Sequence, residues 1–435
     1  MTATDSVPRL EWIRGDHSSL HIPATPEALH GRGIEFLTTA FRHSGVLGPG
    51  NAVEEVVDWC DVTAGSTGRK ATFSITYRSP VSSLPTELFV KFSRDFDDAF
   101  RDRGRSQMKP EVSFAELSRT PEFPIVVPET LFADYHAESG TGILITERIA
   151  FGSHGIEPQY AKCCDYEIPD PVEHYRAIFT ALARLAGAHR AGRRPNDLVG
   201  RLANKSTSMA RPAPGPREDE RLRRQLDELA DFARTYPNLL PDNVGDPKFL
   251  ARIAVEAPRL QVASTAIRER LGGRPEFIAL CHWNANVDNA WFWRDSSGDL
   301  QCGLLDWGSV GPMSVAAAVG GALMAAETSL WNEHLDDLLE HFTDVLAESS
   351  GPAIDPNDLR EHLLLGLGLG GLDWLLGIPA RIATQLGKEG TTLTRTNPRI
   401  RDDESIRAPL QMLVILLNAW QTYDLPSTAK LDEVT

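Results

Sequence analysis

The residues with the clearest capacity for chemistry lie in one polar stretch, Cys281–Asn289, and in an aspartate that follows it. Asn289 stands seven residues after His282, and Asp306 stands 17 residues after Asn289, in the sequence Leu-Leu-Asp-Trp-Gly. Carboxylate and amide oxygens are the hard ligands that Mg²⁺ takes beside phosphates. Each residue alone is also typical of a polar turn. Their spacing favours a divalent metal site formed by Asn289 and Asp306.

A short glycine-containing loop lies far upstream. Gly65 and Gly68 flank Ser66 and Thr67, and the loop stands between two predicted strands. Successive backbone N–H groups in such a loop can bind an anion. An ordinary hairpin turn is the alternative interpretation.

A lysine and a glutamate follow this loop. Lys91 lies in the predicted strand Leu-Phe-Val-Lys-Phe, and Glu111 comes 20 residues later, near the start of a predicted helix opened by Pro110. We expect Lys91 and Glu111 to form an ion pair, with Glu116 as the second choice of partner. A solvated lysine at a sheet edge is the alternative.

This order of segments resembles the aminoglycoside phosphotransferase and choline kinase family. The resemblance covers roughly residues 55–330 and is strongest at 278–308. It implies an α+β, bilobal protein-kinase-like fold, with a small antiparallel β-sheet N-lobe and a larger, mainly α-helical C-lobe. It also implies ATP and Mg²⁺ as cofactors, and an aminoglycoside, choline or another alcohol as the small-molecule hydroxyl acceptor.

The resemblance also assigns roles to the candidate residues. Lys91 would hold the α- and β-phosphates with Glu111 as its partner, and the loop Gly65–Gly68 would cover the phosphates. Asn289 and Asp306 would bind Mg²⁺, and His282 would brace the catalytic loop without transferring a proton. Glu147, in Ile145-Thr146-Glu147-Arg148, would lie in the hinge whose backbone meets adenine.

Asn284 departs from the family pattern, because the resemblance implies an aspartate here that receives the proton of the acceptor hydroxyl. An amide can orient a hydroxyl through its carbonyl oxygen but cannot serve as a general base. Loss of a positioned base typically costs about 10²–10⁴ in rate. Because positioning and electrostatics dominate phosphoryl transfer, a slow kinase stays possible. Asp288 is a candidate for a displaced catalytic carboxylate.

Two alternatives to a kinase follow from these residues. Asn284 supports a pseudokinase-like protein that binds a nucleotide or another small ligand without turnover. A metal-dependent hydrolase using His282, Asp288 and Asp306 is disfavoured, because the sequence offers no further histidines at ligand spacing.

Composition restricts the partners and the cellular setting. The chain has 435 residues and a net charge of −16, which disfavours binding to nucleic acid or to an anionic membrane. Its five cysteines form no CxxC pair, so neither a disulfide framework nor a structural zinc site is expected. Met1–Leu20 lacks an apolar signal-peptide core, and Leu363–Leu372 is too short to span a bilayer. A cytoplasmic protein is expected.

The pattern of hydrophobic residues divides the chain into three parts: an N-terminal extension at 1–50, an N-lobe at 51–149 and a helical C-lobe at 150–435. We predict strands at Val53–Trp59, Ala71–Tyr77, Glu87–Phe92, Val126–Pro128, Gly142–Ile149, Phe277–Cys281 and Cys302–Leu305. We predict helices at 34–41, 109–120, 171–189, 221–236, 259–271, 313–349, 358–377 and 405–423. The helices within 190–275 and 358–423 are expected to shape the acceptor pocket.

Overall fold

The structure is a computed structural model that describes residues 11–63, 65, 67–203, 214–350 and 353–429. The strands are β1 Trp12–Arg14, β2 His21–Pro23, β3 Val53–Val62, β4 Arg69–Tyr77, β5 Glu87–Phe92, β6 Thr130–His136, β7 Thr141–Glu147, β8 Ile278–His282, β9 Ala290–Arg294, β10 Leu300–Leu304 and β11 Val310–Ser314. The helices are α1 Pro26–His43, α2 Ala99–Arg103, α3 Met108–Ser118, α4 Pro171–Arg190, α5 Asn196–Val199, α6 Pro216–Thr235, α7 Asp242–Gly245, α8 Pro247–Gly272, α9 Val315–Leu323, α10 Thr328–Ser350, α11 Pro356–Asp373, α12 Ile378–Leu386, α13 Pro398–Arg401, α14 Glu404–Thr422 and α15 Leu425–Thr428.

These elements form two compact units. Unit one comprises the described residues within Met1–Ala150, Arg194–Ala203 and Leu305–Val310. Unit two comprises the described residues within Phe151–Arg193, Asn204–Leu304 and Gly311–Thr435. Asp306 therefore belongs to unit one, although the segments that end at Leu304 and begin at Gly311 belong to unit two.

Unit one is built on a five-stranded antiparallel sheet in the order β3-β4-β5-β7-β6. Side chains alternate between the two faces of a strand, and in β4 the residues Ala71, Phe73 and Ile75 point into the core, where each is at most 2% exposed. Helix α1 packs its apolar residues, among them Leu29 and Leu37, on this face of the sheet. The intervening residues of β4, including Lys70, face the other side.

The segment before β3 is tied to the sheet by a buried carboxylate. Asp134 on β6 accepts hydrogen bonds from the backbone N–H groups of His17 at 3.0 Å and Ser18 at 2.9 Å. A Cβ atom at Gly15 would collide with the same carboxylate, so only glycine allows this close approach. The described part of the predicted N-terminal extension thus contributes to the core of unit one.

Unit two is mainly helical, and its central helix is α4. Pro171 occupies the first turn of α4, and Asp170 caps the helix by accepting a hydrogen bond from the Glu173 N–H at 3.1 Å. The apolar face of α4, with Ile178 and Leu182 at its centre, packs against α10 and against strands β8 and β10. Strands β9 and β10 form an antiparallel hairpin, and β8 pairs with β11.

Some of the predicted elements are wrong. The helix expected at 313–349 is divided into α9 and α10, and residues 313 and 314 belong to β11. The strand expected at Val126–Pro128 lies instead at β6, because Pro124 and Pro128 bound a short apolar run and proline cannot donate to a strand ladder. In α11, no neighbouring atom lies closer than 4.0 Å to a Cβ atom built at Gly366 or Gly370. The close contacts are at Gly368 and Gly371, where a Cβ atom would lie 3.0 Å from leucine side chains.

All five cysteines are free. Within the described residues, no single helix is both long and apolar enough to cross a membrane. The pair Pro356–Asp373 and Leu375–Thr392, which is bent by 40° at the break between them, passes that test together on length and composition.

Candidate active site

A buried lysine of unit one contacts two carboxylates, one of them buried and the other exposed. Lys91 on β5 donates from Nζ to Glu111 Oε1 at 2.5 Å and to Asp306 Oδ1 at 2.9 Å. The side chains of Lys91 and Glu111 are 7% and 2% exposed, whereas that of Asp306 is 42% exposed. The structure thus brings together three residues that the sequence places 20 and 215 positions apart.

Electrostatics keep this lysine charged. Burial lowers the pKa of Lys91, but the carboxylates of Asp306 and Glu111 outweigh burial and raise that pKa above its ordinary value. Burial also raises the pKa of Glu111, against the attraction of Lys91. Lys91 therefore presents a permanent positive charge toward Asp306, the one partner that solvent and ligands can reach.

Helix α3 decides which glutamate meets Lys91. Glu116, the second choice from the sequence, instead pairs with Arg201 at 2.7 Å on the surface. Five residues along an α-helix correspond to a rotation of about 140°, so Glu111 and Glu116 cannot share one face.

Asp306 is held close to α3 by its own neighbour in sequence. The Trp307 ring stacks on Phe114 of α3 with ring centroids 3.8 Å apart. Asp306 itself has φ of 63°, a left-handed conformation that is uncommon outside glycine. Such backbone strain concentrates at functional sites, and the carboxylate of this residue contacts Lys91.

The glycine loop takes the conformation that its glycines permit. Gly65 and Gly68 have φ of 87° and 53°, and Ser66 lies outside the described residues. The loop is held by α2: the Gly68 N–H donates to the Arg101 carbonyl at 3.3 Å, and the Arg101 guanidinium donates to the Gly65 carbonyl at 3.0 Å. Thr67 accepts a hydrogen bond on its carbonyl from Lys70 Nζ at 3.3 Å.

Replacing Gly68 with alanine is expected to destabilise unit one more than an ordinary left-handed glycine would. A Cβ atom at Gly68 would collide with the Phe92 carbonyl, whereas a Cβ atom at Gly45, with φ of 75°, meets nothing within 4 Å. The left-handed backbone costs about 1–2 kcal/mol in either variant, and crowding adds about 1–3 kcal/mol at Gly68 alone. Urea unfolding of Gly68→Ala and Gly45→Ala checks this. Equal losses would mean that the loop is not packed against β5.

The polar stretch of unit two forms a tightly bonded loop after β8. His282 is fully buried, and its Nδ1 accepts a hydrogen bond from the Asn284 N–H at 3.1 Å. The Asn289 side-chain amide donates to the Asn284 carbonyl at 2.8 Å. Asn286, which the sequence did not single out, is fully buried and donates to the carbonyls of Gly321 at 2.8 Å and Ala322 at 2.9 Å. His282 thus contacts the backbone of this loop, and its role as a brace stays a prediction.

A lysine that carries no sequence motif contacts the critical asparagine. Lys162 Nζ donates to Asn284 Oδ1 at 3.3 Å and lies 3.7 Å from Asp288 Oδ2. The side chains of Lys162 and Asp288 are 12% and 20% exposed. One ammonium group therefore joins the amide of Asn284 to the carboxylate proposed as its substitute.

Glu147 ends strand β7, and its side chain accepts a hydrogen bond from the backbone N–H of Glu129 at 2.9 Å. This contact fixes the chain at the end of the sheet. The assignment of this segment to an adenine-binding hinge stays a prediction.

The predicted Mg²⁺ ligands have suitable donor atoms. The hydrogen bond of Asn289 uses its amide nitrogen, which leaves the amide oxygen as the atom to bind a metal. The carboxylate of Asp306 is partly exposed, and both are hard oxygen ligands of the kind that Mg²⁺ prefers. Over the described part of the chain, no group of three or more His, Cys, Asp or Glu residues could hold a metal by itself. The assignment of Asn289 and Asp306 to a metal stays a prediction.

Lys70, Arg101, Asn286 and Lys162 contact predicted site residues and were not singled out from the sequence. Lys70 had a weak signal, since it follows the second glycine of the loop by two positions. Arg101 and Lys162 lie in segments without a recognisable pattern, whereas Asn286 lies within Cys281–Asn289 at a position to which the sequence gave no role.

Comparison with known proteins gives distant likenesses. No protein-family model and no curated protein matches the sequence. Among solved structures, a choline kinase from Cryptosporidium parvum has a TM-score of 0.45 at 10% identity, covering 93% of this chain and 99% of its own. A Plasmodium vivax ethanolamine kinase has a TM-score of 0.43 at 11% identity, covering 91% and 89%. A spectinomycin phosphotransferase in complex with ADP and spectinomycin has a TM-score of 0.41 at 12% identity, covering 90% and 98%.

The chain's own elements define its class. A lysine on the third strand of a five-stranded antiparallel sheet, paired with a glutamate on the next long helix and with an aspartate after a later strand, is the arrangement of the protein-kinase-like fold. With a mainly helical second unit, the predicted α+β fold class is confirmed.

Proposed function

We propose that this protein is an ATP- and Mg²⁺-dependent phosphotransferase that phosphorylates a hydroxyl group of a small molecule, such as an aminoglycoside, choline or another alcohol. The observation that carries the proposal is the buried Lys91–Glu111 pair with Asp306 on the same ammonium group. A buried ion pair contributes little to stability by itself. Phosphate binding would explain why this buried ion pair lies beside an exposed carboxylate and a glycine loop.

The residues of unit one would hold the nucleotide phosphates. Lys91 is oriented by Glu111 and supplies a fixed positive charge to the phosphates. The N–H groups of the loop at Gly65–Gly68 would cover them. Mg²⁺ held by Asp306 and Asn289 would neutralise the charge that develops on the transferred group.

The residues after β8 would align the acceptor. Hydrogen bonds to His282 and Asn289 fix the backbone of Asn284, so its side chain has a defined direction. An oriented amide oxygen can accept a hydrogen bond from the acceptor hydroxyl but cannot remove its proton. Asp288 is the nearby carboxylate that could do so, since it contacts the same Lys162.

A nucleotide-binding pseudokinase is the second candidate, and one contact favours it. The oxygen of Asn284 that would orient the hydroxyl already accepts a hydrogen bond from Lys162. An ammonium group at this point attracts the carboxylate of Asp288 and opposes proton removal there. Lys162 is therefore a second residue, in addition to Asn284, that favours nucleotide binding without turnover.

Thermal shift with nucleotides tests the proposal directly. We expect Mg-ATP to raise the melting temperature of the wild-type protein, because a ligand at 100 times its Kd stabilises the folded state by about 2.7 kcal/mol. Turnover is then measured against aminoglycosides, choline, ethanolamine and other alcohols. Stabilisation without turnover on any acceptor would favour the pseudokinase. No response to Mg-ATP or Mg-GTP would contradict both candidates.

A further inference from the structure

Two lysines lie side by side on adjacent strands of the sheet of unit one. In the antiparallel pairing of β4 with β5, Lys70 lies directly opposite Lys91. Residues in this relation point to the same face with Cβ atoms about 5 Å apart, and like charges there are unfavourable. A binding function would account for a like-charged pair on the partly buried face of a sheet.

The ammonium group of Lys70 lies at the glycine loop. Its Nζ donates to the Thr67 carbonyl at 3.3 Å, and a Cβ atom at Gly65 would collide with it. The loop therefore has no side chain at position 65 where the lysine comes closest. Lys70 and the loop form one surface, with Lys91 beside it on the next strand.

Two cationic groups and two carboxylates act most strongly on Lys70, so the cluster that includes Lys70 itself has one positive charge in excess. Lys91 and Arg101 oppose its charge, while Asp306 and Glu111 attract it. Burial and then the charge of Lys91 lower the pKa of Lys70 to about 8. Three cationic groups thus meet two carboxylates in a chain whose net charge is −16. A local positive field in an acidic protein suits a multiply charged anion.

We propose that Lys70 is a second phosphate-binding residue, which acts with Lys91 to hold the phosphates of a nucleoside di- or triphosphate beneath the glycine loop. This inference rests on the proposed function and adds a residue to its binding site. Two lysines side by side favour nucleotides with at least two phosphates over nucleoside monophosphates. The polyphosphate in turn relieves the repulsion between the lysines.

Rising pH is then expected to weaken ATP binding. Lys70 binds phosphate in its protonated form, which it loses as the pH rises through about 8. Affinity for Mg-ATP is therefore full below that pH and falls above it. Arginine stays protonated throughout this range, so Lys70→Arg is expected to bind Mg-ATP with a flatter pH profile between 7 and 9.5. The neighbouring Lys91 does not titrate there, because its pKa is raised.

Calorimetric titration of Lys70→Met with Mg-ATP, Mg-ADP and AMP tests the assignment, with Lys109→Met as the control for an exposed lysine of the same unit. We expect Lys70→Met to weaken Mg-ATP and Mg-ADP binding by about 10- to 100-fold, the effect of one charge-assisted hydrogen bond. The affinity for AMP should not change. The melting temperature of the ligand-free protein should be unchanged or higher. Lys109→Met is expected to bind all three as the wild type does.

Three results would overturn the assignment. Wild-type affinity for Mg-ATP in Lys70→Met would remove Lys70 from the site while leaving the proposed function intact. Equal losses for ATP, ADP and AMP together with a lower melting temperature would show a structural role. Failure of the wild-type protein to bind any of the three nucleotides would overturn the proposed function along with the assignment.

Discussion

Replacing Asn284 with aspartate is expected to raise the rate of phosphoryl transfer by about 10²–10⁴, the usual contribution of a positioned general base. The backbone of residue 284 is already fixed by His282, and Lys162 lies 3.3 Å from its side-chain oxygen. The introduced carboxylate would therefore be held in place, and Lys162 would offset its repulsion from Asp288. Turnover is measured with saturating Mg-ATP and the best acceptor found for the wild type.

Three variants decide how the active site works. Loss of turnover in Asp288→Ala, with an active wild type, would identify Asp288 as the displaced base. Lys162→Met is expected to raise turnover if its ammonium group suppresses that base. If the wild type shows no turnover and the Asn284→Asp variant does, the natural protein is a pseudokinase. An active wild type that is slowed by Asn284→Asp would contradict a base role at this position.

Replacing Lys91 with methionine is expected to abolish stabilisation by Mg-ATP and to lower the free energy of unfolding by about 3–5 kcal/mol, the cost of leaving a buried charge without its partner. Most of that cost comes from Glu111, whose side chain is 2% exposed, because Asp306 can be hydrated. Urea unfolding and nucleotide thermal shift measure the two effects separately.

A surface ion pair made by another glutamate of α3 provides the control for this loss of stability. Arg201→Met breaks the ion pair between Arg201 and Glu116, in which the two side chains are 45% and 48% exposed. This variant is expected to lose less than about 1 kcal/mol in the free energy of unfolding. The double variant Lys91→Met with Glu111→Gln should recover most of the stability without recovering ATP binding. A Lys91→Met protein that still responds to Mg-ATP like the wild type would contradict phosphate binding at Lys91.

Local pattern predicted much of the fold. The strands β4 and β5 and the helices α3, α4 and α14 lie within a few residues of their predicted bounds, because alternation and helical periodicity record which side of each element is buried. The strand expected at Val126–Pro128 failed for a local reason, since prolines interrupt it. The pairing of Lys91 with Glu111 was also anticipated, through the order and spacing of the segments.

Other features depended on which faces and distant segments meet. Which glutamate pairs with Lys91, Glu111 or Glu116, depends on the orientation of α3 on the sheet. The spacing of these residues in the sequence does not determine that orientation. Lys70 meets Lys91 because of the register between β4 and β5, and the close contacts in α11 fall at Gly368 and Gly371.

The sequence by itself determined the types of residue at the candidate site: a lysine and glutamate for phosphates, oxygen ligands for a metal and an amide in place of the catalytic carboxylate. Only the tertiary structure decided what surrounds that amide. Lys162 is 122 residues from Asn284 in the chain and carries no motif, yet it donates to the amide oxygen. The periodicity of an element records which of its sides is buried, but it does not specify which distant side chain will lie against that side.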